Sequence, residues 1–280
     1  GLLLTEVAHG YRVHDEALAA SNGKFRTHAQ TDEREEAKRT LEASIHNESW
    51  KYRGVEGPDT LHCMGDGHSL EYFFVRGIGA GAEGVTVLMT RGTSDAQVVA
   101  KLQKPVAKNE PPADSFKECN ILQHLERHAV PDVLRCEARC EASGYAIITT
   151  PFLPDSISFT GQLDPEKFDS ALAVEKATLS TLQTARLLLQ AHVINPDQRN
   201  NILYTKSGTT LFIDFGSAKF LGQGLFSKGS ETRLLQFFAD MHQKVPWELK
   251  DSKRVAEAIK LLRDEVDQII ATIPENLRMP

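Results

Sequence analysis

The chain has no long apolar run. Stretches such as Leu187, Leu188 and Leu189 fall far short of the ~20 residues a membrane-spanning helix needs. No apolar leader headed by Lys or Arg, with a small-residue cleavage site, stands at the start. The chain opens on Gly1 rather than Met, which reads as a trimmed start, so a removed targeting segment would leave no trace. Positive charge is not in excess: 32 Lys and Arg face 38 Asp and Glu, for a formal net charge of -6. A dedicated nucleic-acid binder needs cations to hold a phosphate backbone, so that class is disfavoured. Cysteine is scarce, with 4 in 280 residues, too few for a disulfide scaffold at this size. Cys136 and Cys140 lie four apart, but no second ligand pair is near enough to complete a zinc site. The expectation is free thiols on a strand or its edge, in a reducing, cytosol-like compartment.

What is present is ordinary globular composition, 41% hydrophobic and 25% charged, which argues against a mostly disordered chain. The length allows one large domain or two small ones. Residues 1–68 read as an N-terminal extension. Within it, 31–46 is charged, opens with an N-cap and an acidic first turn, and carries Leu41 and Ile45 four apart, so a solvated helix is predicted. Gly54, Gly57, Pro58, Gly65 and Gly67 then suggest a turn-rich connection.

From Leu70 the pattern changes. Residues 70–76, 85–89 and 97–102 read as strands, with a glycine-punctuated loop and a turn between them. A Pro-rich loop follows, then a helix over about 115–128 capped by Asp114 or Ser115. Strands near 133–140 and 145–152 complete this part, joined by a Ser143-Gly144 turn. Beyond Pro154 the chain turns helical. Leu172, Leu179, Leu182, Leu189 and Val193 share one face of a helix ending near 193. Short strands over 201–205 and 210–213 come next. Val255, Ile259, Leu262, Val266, Ile269 and Ile273 then mark an amphipathic helix ending before Pro274.

Five features carry chemistry. Gly79, Gly81 and Gly84 sit between two strands, where bare backbone can approach phosphate oxygens. A Rossmann reading needs a helix after the last glycine, and the β-rich Val85-Thr86-Val87 excludes it. Lys101, seventeen residues after Gly84, is centred in an apolar strand, where an ammonium needs an anion. Glu118 precedes Ile121, Leu122 and Leu125 on the following helix, on or near the face that packs on the sheet. In the loop leaving the long helix, Asp197 can orient a hydroxyl and Asn201 can offer an amide oxygen to a hard cation. Asp214, at the end of an apolar strand and next to Phe215-Gly216, is placed to hold Mg2+ on phosphates.

In order and spacing these features resemble a eukaryotic-type protein kinase domain over residues 70–220. The resemblance implies an α+β, bilobal fold: 69–153 as an N-lobe with an antiparallel sheet and helix C, and 154–280 as a small, mostly helical C-lobe. It implies ATP and Mg2+ as cofactors, with Gly79, Gly81, Gly84, Lys101 and Glu118 on the nucleotide and Asn201 and Asp214 on the metal. Thr149 or Thr150 becomes the gatekeeper, and Pro151, Phe152 and Leu153 the hinge that meets adenine. Asp197 becomes the residue that accepts the hydroxyl proton. Arg199 falls where many Ser/Thr kinases carry a Lys that meets the transferred phosphate.

The departures are specific. Asn195-Pro196-Asp197 stands where the family has His-Arg-Asp, and the catalytic loop is one residue short. Pro196 removes the arginine that pairs with a phosphorylated activation loop, so activation by loop phosphorylation is not expected. No Ala-Pro-Glu follows Asp214, and only residues 217–280 remain for the C-lobe. The chain is similar in economy to effector kinases that bacterial pathogens secrete into host cells, which would make it a virulence factor. The expected activity is phosphoryl transfer to a protein hydroxyl, Ser/Thr rather than Tyr, in the cytoplasm, or in the host cytoplasm if the chain is such an effector. Gly222, Gly224 and Gly229 suggest a mobile segment that an activating protein partner would order. Two other classes stay open: a pseudokinase binding module, and a small-molecule kinase or nucleotidyl transferase on the same fold.

Overall fold

In a computed structural model of the protein, six antiparallel strands close into a barrel. The structure describes residues 49–52, 55–58, 60–65, 68–80, 84–92, 94–103, 116–142, 145–222 and 226–278. The chain divides into two compact units, Gly1–Trp50 and Lys51–Pro280, and the described residues fall almost wholly in the second. The helix predicted over 31–46, the caps Asp114 and Ser115, the Ser143-Gly144 turn, Gly81 and Gly224 lie outside the described residues.

Two short strands, β1 (Ser49–Tyr52) and β2 (Val55–Pro58), precede the barrel. The barrel is built from β3 (Thr60–Gly65), β4 (His68–Ala80), β5 (Gly84–Arg91), β6 (Gln97–Gln103), β7 (Ala138–Ala142) and β8 (Tyr145–Pro151), in the order β3-β4-β5-β6-β8-β7. Successive side chains of a strand point to opposite faces. In β6, Val98, Ala100 and Leu102 are buried, while Val99, Lys101 and Gln103 are half-buried on the other face. That alternation leaves Lys101 outside the barrel's apolar interior.

Two expectations are corrected here. The glycine-rich stretch before His68 is not only a connection. Leu61 and Cys63 are buried on either side of exposed His62, the period-2 signature of a strand, and β3 pairs with β4 over its whole length. The cysteines are not free: Cys63 is joined to Cys140 and Cys119 to Cys136, with Cα separations of 4.7 and 5.3 Å. The first pair bridges β3 and β7, whose ladder consists of the single pair Met64↔Arg139, so it staples the seam where the barrel closes. Cysteines 77 apart in sequence become neighbours only through closure, which spacing along the chain cannot reveal. The reducing compartment inferred from free thiols loses its basis with them.

Helix α1 (Lys117–Arg127) starts two residues later than expected, with Phe116 at its N-cap position and no side-chain cap. It buries Ile121, Leu122 and Leu125 in a core shared with the helical part. There, α2 (Ala171–Gln190) is capped by Ser170, whose hydroxyl accepts from the Ala173 amide at 3.2 Å. Leu172 was expected on its buried face but is 70% exposed. The buried stripe instead runs through Val174, Ala177, Thr181, Leu182, Ala185 and Leu188. Thr178 and Thr181 join it because their hydroxyls donate to the carbonyls of Val174 and Ala177, both at 2.8 Å. Small strands follow: β9 (Ile157–Ser158), β11 (Ile202–Tyr204) and β12 (Thr210–Phe212) form one sheet, and β10 (Val193–Ile194) pairs with β13 (Lys219–Phe220). Helices α3 (Ser230–Gln243), α4 (Lys253–Thr272) and α5 (Glu275–Arg278) close the chain. Helix α4 buries Val255, Leu262, Val266 and Ile269, the spacing expected, and each such side chain stabilises by about 2 kcal/mol. Among the described residues no helix is long and apolar enough to cross a membrane.

Candidate functional site

Lys101 is the centre of a three-residue ionic cluster. The outward face of β6 carries it to the side covered by α1, and its Nζ donates to Glu118 Oε2 at 2.9 Å and to Asp214 Oδ1 at 2.5 Å. The three residues are 17 and 113 positions apart in pairs and meet only in the fold. The Lys101 and Glu118 side chains are 17% and 3% exposed, while the Asp214 side chain is 43% exposed. The pair is therefore desolvated and the Asp214 carboxylate opens outward. Burial opposes the Lys101 charge, but the carboxylates of Glu118 and Asp214 outweigh it and hold the pKa above the ordinary lysine range. Burial likewise pushes the Glu118 carboxyl upward, against the pull of Lys101 and of the Phe215 amide.

Glu118 has a second task. Its Oε1 accepts from the backbone N–H of Phe215 at 2.9 Å. The neighbouring Lys117 Nζ reaches the Gly216 carbonyl at 3.4 Å. The first turn of α1 therefore grips the Asp214-Phe215-Gly216 loop at two points. Asp214 itself has φ 56°, in the left-handed region that short polar side chains tolerate best among non-glycine residues.

Asn195, which sequence reasoning noted only as a departure, is fully buried and joins two loops. Its Nδ2 donates to the Asp214 carbonyl at 2.8 Å and to Gln198 Oε1 at 3.1 Å. Its Oδ1 accepts from the Asp197 amide at 3.3 Å. Buried Gln198 then donates to the Asn201 carbonyl at 2.6 Å. No spacing signal pointed to Gln198. For Asn195, the only hint was an amide directly after the apolar pair Val193-Ile194.

The shortened loop still returns on itself. Residues 198–200 make one 3-10 turn, and Asn201 Nδ2 donates to the Asp197 carbonyl at 3.0 Å. This leaves the Asn201 amide oxygen for a cation. Asp197 is exposed. Arg199 is tied elsewhere, its Nε donating to the Thr160 carbonyl at 2.8 Å.

The strand register separates the two gatekeeper candidates. Thr150 pairs with Val99, and Ile148 with Lys101, so Thr150 shares the Lys101 face. Thr149 faces the barrel interior, where its hydroxyl donates to Tyr72 at 3.1 Å. Phe152 is half-buried just past β8, its amide 3.4 Å from the Gln97 carbonyl. The glycines divide similarly. A Cβ at Gly79 would meet nothing within 4 Å, whereas one at Gly84 would lie 1.9 Å from the Leu102 carbonyl oxygen. Gly84 is thus required by strand packing, and Gly79 leaves bare backbone beside open space. Gly77, not singled out from the sequence, backs onto the Tyr52 ring.

Among the described residues no group of three or more His, Cys, Asp or Glu side chains could hold a metal ion. A carboxylate, Asp214, and an amide oxygen, Asn201, are hard ligands of the kind Mg2+ takes when phosphates complete its shell. The donor chemistry therefore fits a phosphate-borne cation and not a protein-caged one. The arrangement can fix an anionic ligand with Lys101 and present a hydroxyl to Asp197.

No family model and no curated protein matches the chain. Among solved structures it is similar to the crystal structure of a kinase domain, with 13% identity and a TM-score of 0.47, over 62% of this chain. The chain spans 64% of that kinase domain's length.

Proposed function

We propose that the protein is a divergent, bilobal protein kinase that transfers the γ-phosphoryl group of ATP to a protein hydroxyl, Ser/Thr in preference to Tyr. The observation that carries this reading is the Lys101–Glu118–Asp214 cluster with the Phe215 amide bound to Glu118. A lone buried lysine needs one counter-ion. Two carboxylates on it, one sealed and one open, make a charge centre built to exchange a partner for phosphate oxygens.

In this reading Glu118 keeps Lys101 aimed while Lys101 grips the α- and β-phosphates. The backbone around Gly79, Gly81 and Gly84 covers the phosphates. Thr150 and Phe152 border the adenine. Asp214 and Asn201 would hold Mg2+, which neutralises charge on the phosphate oxygens when bound. Asp197, at the loop surface, orients the acceptor hydroxyl and takes its proton. Positioning and electrostatics carry the rate. Asn195 keeps the Asp197 and Asp214 loops in register. A protein partner would serve as activator.

A second reading is supported by Arg199. Its Nε is bonded to the Thr160 carbonyl, which ties the side chain at the position expected to meet the transferred phosphate. A pseudokinase that binds nucleotide without turnover needs no such contact.

Incubation with γ-labelled ATP and Mg2+, with and without cell lysate, tests the proposal against Lys101→Ala. Label on protein that disappears in the variant is the expected result. Label that persists in the variant overturns it. Nucleotide binding without label favours the pseudokinase, and label on a small molecule favours a metabolite kinase.

A further inference from the structure

The first turn of α1 carries Glu118, and Phe116 at its N-cap position makes no side-chain bond to it. The rest of the helix is anchored by packing. Ile121, Leu122 and Leu125 are buried in the core, and His124 Nε2 lies 2.9 Å from the Ala191 carbonyl. At the first turn the anchor is covalent. Cys119, adjacent to Glu118 and fully buried, is joined to Cys136 on the segment leading into β7. The other disulfide is different in kind. It links two strands of one barrel, so breaking it acts on the seam and not on the helix that bears Glu118.

We propose that the Cys119–Cys136 disulfide is a redox-breakable clamp that positions Glu118 against Lys101 and the Phe215 amide. Oxidised, it holds that turn in place; reduced, it leaves the turn to the burial of Cys119, the Arg139 guanidinium over the Phe116 ring and the polar contacts of Glu118 and Lys117. The reductant is a dithiol. Its thiolate attacks the sulfur of half-buried Cys136, and the S–S bond breaks with Cys119 leaving as a thiolate that takes up a proton. The second thiol of the reductant then closes on the mixed disulfide and releases Cys136, so two electrons pass from dithiol to protein. The effect on the helix does not depend on the phosphoryl-transfer reading; the consequence for nucleotide binding does.

The test uses the full chain purified under oxidising conditions. Non-reducing peptide mapping is expected to find Cys119 linked to Cys136, and free thiols at both positions would overturn the proposal. Hydrogen–deuterium exchange over residues 117–127 is then compared among three samples: the oxidised protein, the protein reduced by graded dithiothreitol and alkylated, and Cys119→Ala/Cys136→Ala with the second disulfide intact. Opening the bond is expected to speed exchange at amides 121–125 by about fivefold or more. Affinity for a Mg2+-bound non-hydrolysable ATP analogue is expected to fall by a similar factor, and the bound analogue to protect the disulfide from reduction to the same extent. Unchanged exchange on opening the bond overturns the clamp. If the double variant does not fold, the graded reduction gives the same readout. Absence of nucleotide binding in every redox state would count against the kinase reading alone, because the exchange data still decide the clamp.

Discussion

Asn195 donates its side-chain amide to the backbone carbonyl of Asp214 at 2.8 Å, across 19 residues of sequence, and so ties the loop carrying Asp197 to the loop carrying Asp214. Asn195→Ala leaves that carbonyl and the Gln198 Oε1 without a donor in a buried setting. A loss of about 1–3 kcal/mol in unfolding free energy is expected, together with a lower transfer rate. Asn195→Asp is expected to be worse, because it sets a carboxylate against the same two oxygens. Denaturant unfolding and kcat for the pair check the order; Asp milder than Ala would contradict the bonding scheme.

Removing Lys101 should unmask Glu118. With the Glu118 side chain 3% exposed, Lys101→Met strands a buried carboxylate, for an expected loss of about 3 kcal/mol. Adding Glu118→Gln to that variant should recover part of the loss, so the two changes will not be additive in a double-mutant cycle. The pH dependence has a definite sign. The folded pKa of Lys101 lies above its unfolded value of 10.5. Its contribution is therefore complete below that value and is lost only as pH rises through the folded pKa.

Glycine substitutions should separate packing from ligand contact. Gly84→Ala places a methyl against the Leu102 carbonyl oxygen, so β5 and β6 must part, at an expected cost of more than about 2 kcal/mol. Gly79→Ala meets nothing within 4 Å and should leave thermal stability within about 1 kcal/mol of wild type while weakening ATP binding. Melting curves alongside nucleotide titrations distinguish the two.

Lys244 predicts a rise of stability with alkaline pH. It is 1% exposed and its Nζ donates to the Phe159 carbonyl. Burial, with Arg199 nearby, lowers its pKa from 10.5 to about 8. Between those values the unfolded chain binds more protons than the folded one, so stability increases with pH across that window. Urea unfolding of wild type and Lys244→Met at about pH 7.5 and 9.5 should show the rise only in wild type; parallel curves would refute it.

Local chemistry was legible along the chain. The alternation through Val98, Ala100 and Leu102, the four-and-three spacing of α4, and the order of Gly79, Lys101, Glu118, Asp197 and Asp214 are all short-range patterns. A backbone's period imposes them directly on the sequence. Leu172 shows where this stops: its spacing fitted a buried face, but the side that is covered at that end of α2 is the one carrying Ala173 and Val174, and the Leu172 side chain is 70% exposed. Asn195 and Gln198 were opaque for a related reason. A buried amide is defined by its partners, and these come from loops whose meeting no periodicity encodes.

Local propensity and periodicity marked β4, β5, β6, β8 and helices α1, α2 and α4 along the chain, though not β3 or α3, and fixed the linear order of the charged groups that gather at Lys101. Contacts between separate elements settled the rest. Barrel closure brought Cys63 to Cys140, and helix docking brought Cys119 to Cys136. Strand register set Thr150, and not Thr149, on the Lys101 face. The approach of three distant segments gave Lys101 two carboxylates. Each of these is a contact between residues far apart in the chain. Its free energy depends on how the elements pack and which groups lose water together, and neither is written in any one stretch of sequence.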